Sequence, residues 1–449
     1  MSLESGSVTL KRFYTTKALP EAKNDSWLDA LNQHAIKEKE LQLDGENDGW
    51  AVLGNELSNN FTYLNSQVPP YVCFAYRRDS IKVPGSLIEL HLKSQIAIER
   101  ECGEGVSKTK KQEIKDDIIN DLITRSLPNV DYAGVLVDTD HGEIFFSSSS
   151  DRMVDGFCQL FYESFHVQLI DADYATIAHR LLDHEERFEG LMSHPNLDLV
   201  ENLEVHPDFE DSPEMRLGSA FLTWFYYHLQ DSDSSWSSEH IEEIFVVCED
   251  QLTLAGESMG SREVTLRQGA INTCRELSAA LQAGKGVSKA KFLFYRGDED
   301  DGQVWSFLID KKNYVLGSLK LPKVEVADDI TMLRERFDSI REIHTIIDDI
   351  FLDYLEMRTT ENWPTICERM RHWVFELDLT PTPKEFVESG LTEEKDPEPE
   401  GDPVNTENEL KKEDDLHETN EMEEVPKTDN SLAISIKETF SAEKDEKLE

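Results

Sequence analysis

Positive charge is scarce in this 449-residue chain: 45 lysines and arginines stand against 91 aspartates and glutamates, a formal net charge of -46. That excess repels polyanions at long range, although charges separated by more than a Debye length of about 8 Å are screened at physiological salt. Binding a polyanion would therefore require cations gathered on one surface. Cysteine is also sparse. Cys73, Cys102, Cys158, Cys248, Cys274 and Cys367 include no CxxC pair, so neither a disulfide framework nor a zinc site is expected. Long apolar runs are missing. The densest, Phe221 to Leu229, falls far short of the ~20 residues that cross a bilayer, and no membrane partner is expected. The opening M-S-L-E-S-G-S-V has neither the basic nor the apolar region of a secretory signal, so the expected location is cytoplasmic.

Catalytic signatures are missing as well. G-K-G at 284–286 lacks the earlier glycine of a phosphate loop and has Gly286 where Ser or Thr belongs. His179 and His184, in H-R-L-L-D-H, do not have metalloprotease spacing, and D-S-D-S-S-W-S-S fails the calcium-loop pattern. Asp348, Asp349 and Asp353 share a helix and could approach a metal, with solvated helix-face carboxylates as the plain alternative. Asp310 beside Lys311 and Lys312 is a faint nuclease candidate. No catalytic residue, metal site or cofactor is assigned.

What is present reads as a folded, mixed protein with an acidic tail. The pattern predicts strands at Val8–Tyr14 and Tyr71–Tyr76 and a helix over Trp27–Glu40. It predicts a Pro84-initiated helix from Gly85 to Glu101 and a second from Lys108 to Ser126. The strands Tyr132–Asp138 and Glu143–Ser147 flank a T-D-H-G hairpin turn, and a helix follows over Met153–Val167. Residues 1–170 thus form an N-terminal α+β region. Residues 171–214 are acidic and weakly periodic. A second α+β domain spans 215–325, and helices over Ile330–Tyr354 and Trp363–Leu377 make an extension over 326–380, their stripes serving core or oligomer seams. From Pro381 the composition turns acidic, with 23 Asp and Glu against 8 Lys and Arg, a net of -15 that leaves -31 on the body. That tail, 381–449, is expected to be disordered. Its charge suits competition with a polyanion for a cationic wall, or simple solubilisation.

Cations do gather in places. From Leu277 to Gly297 there is no acidic residue, yet Lys285, Lys289, Lys291 and Arg296 are present. An amphipathic helix ends at Gly284, a short turn presents lysines, and an apolar strand follows. Such a turn suits a grip on phosphates, or is a solvated loop. Lys108, Lys111 and Lys115 recur at helical spacing, with Lys110 beside them and Arg125 closing the helix. Nearby Glu113, Asp116 and Asp117 support a solvated face equally well. Arg77 and Arg78 end a strand, where they could line a groove or mark the passage to solvent.

In order, these windows resemble the recombination-associated protein RdgC family. The likeness lies in C-F-A-Y-R-R-D-S-I-K-V-P-G-S-L-I, Q-E-I-K-D-D-I-I-N-D-L-I-T-R-S-L, Y-A-G-V-L-V-D-T-D-H-G-E-I-F-F and D-Q-L-T-L-A-G through A-G-K-G-V-S-K-A-K-F-L-F-Y. It covers about Val8 to Lys323, with an insertion around Asp171–Glu214. The resemblance implies a multi-domain α+β fold with central, base and finger parts, the finger helices falling within 1–170. It further implies a sequence-independent DNA-binding protein without catalysis, a ring-shaped homodimer around duplex DNA that limits strand exchange by a RecA-type recombinase in the nucleoid. By that resemblance Arg77, Lys115, Arg125 and Lys285 fall at cationic family positions, with Lys285 the leading DNA contact. Lys289, Lys291 and Lys111 complete the expected DNA-binding set. The family's aromatic finger tip is replaced by Leu127, and the polar residue after the A-G-K lysine by Gly286. A metal-dependent nuclease and a protein-interaction scaffold are the rival readings.

Overall fold

Strand β1, Val8–Thr15, is buried along most of its length and pairs on both sides. It is the seam of the molecule. Val8 and Leu10 pair with one strand of the C-terminal half, Lys11 to Tyr14 with a strand of the N-terminal half, and Phe13 to Thr15 with a third, short strand. The computed structural model describes residues 3–37, 45–101, 106–194, 196–200, 213–231, 235–237, 243–256, 262–268, 271, 274–297, 302–324 and 328–376. Contacts divide the chain into Met1–Leu379 and Thr380–Glu449. The second unit, with the expected acidic tail, lies outside the described residues.

After β1 come α1 (Ser26–Gln33), β2 (Glu46–Ala51), α2 (Tyr63–Ser66), β3 (Gln67–Val68) and β4 (Tyr71–Ser80). The helical hairpin α3 (Gly85–Glu101) and α4 (Lys108–Arg125) leads to β5 (Asn129–Asp138), β6 (Glu143–Phe146), α5 (Asp151–Phe165) and β7 (Leu169–Asp171). Helices α6 (Tyr174–Leu182), α7 (Glu185–Ser193) and α8 (Pro213–Asp231) precede β8 (Ser235–Trp236), β9 (Ile244–Ala255) and β10 (Glu263–Arg267). The series ends with α9 (Arg275–Gln282), β11 (Gly286–Arg296), β12 (Gln303–Asp310), β13 (Leu316–Lys320), α10 (Asp329–Arg358) and α11 (Trp363–Glu376). The long path of the sheet is β10-β9-β11-β12-β13-β1-β6-β5-β4-β2, antiparallel at every step, so the fold is α+β.

The two halves bury different faces. In the N-terminal half Phe13, Trp50, Phe74 and Phe146 meet α1 and α5, with Phe146 stacked on Phe157 at 4.3 Å between ring centroids. The opposite face gives Tyr71, Cys73, Leu136 and Phe145 to the larger core. In the C-terminal half Ala290, Phe292 and Phe294 of β11 face α8, where Phe225 approaches Phe292 at 5.0 Å. Helix α10 serves both halves: Phe337 touches Tyr71, and Phe351 touches Phe221. Its apolar stripe is therefore core within one chain.

Four expectations change in the structure. Helix α1 stops at Gln33 because Ala35 bridges Trp50, and Gly49, lacking a side chain, lets the Ile36 backbone lie against β2. The stretch after 171 is not shapeless: α6 buries Tyr174, Ile177, Ala178 and Leu182, a helical period obscured by flanking acids. The lysines after Gly284 do not sit in a turn. Gly284, at φ +75°, ends the helical segment and β11 begins at Gly286, so Lys289 and Lys291 belong to a strand. Finally, Leu316–Lys320 forms a strand too short to show a period.

Burial makes α10 acid-sensitive. His344 packs on Phe145 at 4.7 Å and its Nδ1 donates to the Ile340 carbonyl at 2.8 Å. Its Nε2 is buried and has no partner among the described residues. Burial, reinforced by nearby Arg12, pushes its pKa down to about 3. The unfolded chain takes up this proton near pH 6.5 and the folded chain does not until about pH 3, so stability falls as pH drops through that window. The group accounts for about 2 kcal/mol between pH 6.5 and pH 5. His344→Leu should shrink the Tm difference between about pH 7 and about pH 5; an unchanged difference would rule out this source of acid sensitivity.

Candidate nucleic-acid interface

The helical hairpin stands on a β-ribbon. Strands β4 and β5 pair through all ten residues, from Tyr71 opposite Asp138 to Ser80 opposite Asn129, and α3 and α4 continue from the Ser80/Asn129 end. The two helices bury Ile88 and Leu92 against Ile114 and Leu122. Ser107 caps α4 by accepting from the Lys110 amide at 3.2 Å, and Lys110 Nζ binds Glu99 at 2.6 Å. The outer face of α4 carries the cations. Lys108 and Lys111 are exposed and Lys115 is half-buried, and none of the three has a carboxylate partner among the described residues. Arg125 pairs with Asp121 one turn earlier at 2.7 Å, but its side chain is 72% exposed. A pair that open is weak and is readily exchanged for a phosphate. Lys108, left out of the expected set, belongs with Lys111 and Lys115; its place on the same stripe was the available signal.

Arg77 is less available. Its Nε and Nη2 donate to the two oxygens of Asp79 at 2.8 and 2.9 Å, and Nη1 donates to the Glu56 carbonyl at 3.1 Å. Asp79 is buried, so this fork is committed to holding the ribbon. Arg78 is similarly held by Glu46, which also takes Arg152. Leu127 does not sit at the hairpin tip. It follows α4 at the end next to the sheet and is 91% exposed, with Val130 and Tyr132 exposed close by on β5.

The second cationic group lies on β11. Lys289 and Lys291 alternate with the buried Ala290, Phe292 and Phe294, and so project from the sheet face opposite α8. Lys291 binds Glu249 at 2.7 Å, and Ser306 Oγ donates to the same carboxylate at 3.1 Å. Lys289 stands opposite Asp310 in register, but Asp310 Oδ1 accepts from the backbone amides of Lys312 and Asn313 at 2.8 and 3.3 Å. Lys285 departs most from expectation. It is 6% exposed, and its aliphatic stem lies against Gly256. The sequence shows only an acid-free lysine; the burial comes from β9 passing alongside.

The structure does not bring all these residues together. Five strand steps separate β11 from β5 and six from β4, roughly 24 to 29 Å at ~4.8 Å per step. Strand directions also put Lys285 and Lys289 at the sheet end opposite the hairpin. Contacts from both groups would have to fall on separate stretches of one extended polyanion. Among the described residues, no group of three or more His, Cys, Asp or Glu is arranged to hold a metal. Of the helix carboxylates considered for one, Asp348 is bound by Arg12 and Tyr314, and Asp353 accepts from Trp236 Nε1 at 3.0 Å. No described helix is long and apolar enough to cross a membrane.

An antiparallel α+β sheet with a protruding helical hairpin carrying uncommitted lysines is the class of protein that the fold defines. A family model described as "Putative exonuclease, RdgC" matches residues 11–178, which supports the resemblance to the RdgC family over that part of the chain. The match includes Arg77, Lys111, Lys115 and Arg125 and leaves out Lys285, Lys289 and Lys291. No curated protein matches the chain.

Proposed function

We propose that this protein binds duplex DNA through its phosphates, without reading sequence and without cleaving it. The observation that carries the reading is the face of α4, where Lys108, Lys111 and Lys115 have no carboxylate partner among the described residues in a chain of net charge -46. Lys289 extends the contact along the duplex, joined by Lys291 where it exchanges Glu249 for a phosphate, while Lys285 stays buried against Gly256. In keeping with the family, the protein acts as a homodimer that closes into a ring around the duplex, in the nucleoid, and limits strand exchange by a RecA-type recombinase. The exposed Leu127, Val130 and Tyr132 offer apolar area for self-association.

A salt series on random-sequence duplex tests this. Affinity should fall linearly in log-log form with a slope of about 0.9 per phosphate contact, and change little with base sequence. A flat salt response would refute it. The family description raises a nuclease reading, which requires that added Mg²⁺ produce degradation of the same duplex. Light scattering should give twice the chain mass, and the protein should slow recombinase-driven strand exchange at concentrations that coat the duplex; a monomer would remove the ring.

A further inference from the structure

At the end of the sheet away from the hairpin, three segments enclose a cleft of about 300 Å³. Its walls are the close of β1 with the following loop, the β5–β6 turn and the last turn of α6, contributing Thr15, Lys17, Thr139, Asp140, His141 and Arg180. From these residues we propose a binding site for a phosphate monoester, either free or at the end of a nucleic-acid strand. It goes beyond duplex binding and does not depend on it. The ten residues of β5 put the cleft roughly 30 Å from the hairpin root at ~3.3 Å per residue.

Few donors around the cleft remain open. The amides of the turn are committed: Asp138 Oδ1 accepts from Asp140 and His141 at 3.1 and 3.2 Å, and Gly142 donates to the Asp138 carbonyl at 3.0 Å. The hydroxyl protons are committed too, with Thr139 donating to the Pro70 carbonyl at 2.8 Å and Thr15 to the Gly142 carbonyl at 3.4 Å. The donors left are cationic. Lys17 is exposed and, like Arg180, has no carboxylate partner among the described residues. The Arg180 guanidinium carbon lies 4.3 Å from the Tyr14 ring centroid, and its Nη2 is 3.5 Å from the His141 carbonyl. That leaves most of a planar fork open, the geometry that suits two oxygens of one phosphate.

A second row fixes the turn. His141 Nδ1 lies 2.9 Å from Asp138 Oδ2, and Arg341 of α10 donates to the imidazole, 3.1 Å from Nε2. Arg341 is thus a positioning residue that adds positive charge behind the cleft. Against these cations stand the rim carboxylate of Asp140 and Glu143, which lies beside Arg12 and also attracts Arg180, while Asp138 is engaged by the turn. The cleft is at the small end of ligand pockets and only Ala18 and Leu19 line it with apolar surface. That size and set of lining residues suit a compact, hydrophilic oxyanion.

Calorimetric titration of the full chain tests the proposal, using inorganic phosphate and one single strand made with a 5′-phosphate or a 5′-hydroxyl. Phosphate should bind, and Lys17→Ala and Arg180→Ala should each weaken it about tenfold, the loss of one charge-assisted contact. Lys17 is exposed, so its variant keeps the fold should Arg180→Ala loosen the packing on Tyr14. A 5′-phosphate that binds tighter than the hydroxyl form, with the gap closed by Arg180→Ala, puts a strand end in the cleft. Equal binding of the two strands, with phosphate still bound, leaves free phosphate as the source. Glutamate at Lys108, Lys111 and Lys115 should abolish duplex binding yet spare phosphate, so the two readings fail separately. No phosphate binding by the natural protein, or an affinity unmoved by both cleft substitutions, overturns the site.

Discussion

Charge reversal of Lys108, Lys111 and Lys115 to glutamate is expected to lower duplex affinity on the order of a hundredfold at ~0.1 M salt, whatever the base sequence. Each lysine that meets a phosphate releases about 0.9 of a counterion, so losing three should flatten the log-log salt slope by about 2.7 per chain. The fold should survive. Lys108 and Lys111 are exposed in the first turns of α4, where added carboxylates favour the helix dipole. Surface changes of this kind usually shift stability by less than about 0.5 kcal/mol. The measurement is fluorescence anisotropy on a random duplex across a salt series, with Tm taken on the same samples. Wild-type affinity and slope in a folded triple variant would remove the hairpin from the interface. By contrast, Lys285→Glu would confuse the result, since it places a carboxylate where the lysine stem is buried.

The largest stability effect should come from Arg12 on β1. Its guanidinium is 1% exposed and makes a two-pronged bond to Asp348 of α10 at 2.7 and 2.8 Å, with Glu143 at 3.7 Å. Tyr314 donates to Asp348 Oδ1 at 3.0 Å, and the Tyr14 and Tyr314 rings lie 5.4 and 5.6 Å from the guanidinium carbon. Burial works against the charged form of Arg12, but Asp348, together with Tyr14 and Glu143, more than offsets it and holds its pKa well above the ordinary value. Asp348→Ala leaves that charge buried beside only the more distant Glu143 and should cost about 3–5 kcal/mol. That is a large part of the ~5–15 kcal/mol that typically separates folded from unfolded chains. The double variant Arg12→Met with Asp348→Leu should recover most of the loss, because an apolar pair needs no desolvation. Urea unfolding of the three proteins measures this. If the double variant proves no more stable than Asp348→Ala, the cost lies in packing and the buried-charge account fails.

Arg12 also shows why part of the site could not be read from the sequence. It lies 336 residues from Asp348, and neither residue type in its local setting announces a partner. Helices α3 and α4 were legible because proline, serine and a 3.6-residue apolar period act within a few residues of where they stand. The alternation of Lys289 and Lys291 with Ala290, Phe292 and Phe294 was also present, but the glycine at 284 suggested a longer turn than the chain makes. Arg180 sits inside the H-R-L-L-D-H segment, whose histidines drew attention while its arginine did not. Only packing of α6 beside β1 sets that arginine over Tyr14 and next to the T-D-H-G turn. Arg77, likewise, reads as an open cation until Asp79 and the Glu56 carbonyl close around it.

By itself the sequence determined the α+β class, most of the helices and strands, and the hairpin whose lysines face outward, since local periods and caps act over one or two turns. Only the tertiary structure decided which cations stay available. Burial, ion pairing and neighbouring strands depend on how the chain packs in three dimensions, and they turn Lys285 inward, engage Arg77 and Lys291, and gather Lys17, His141 and Arg180 around one cleft.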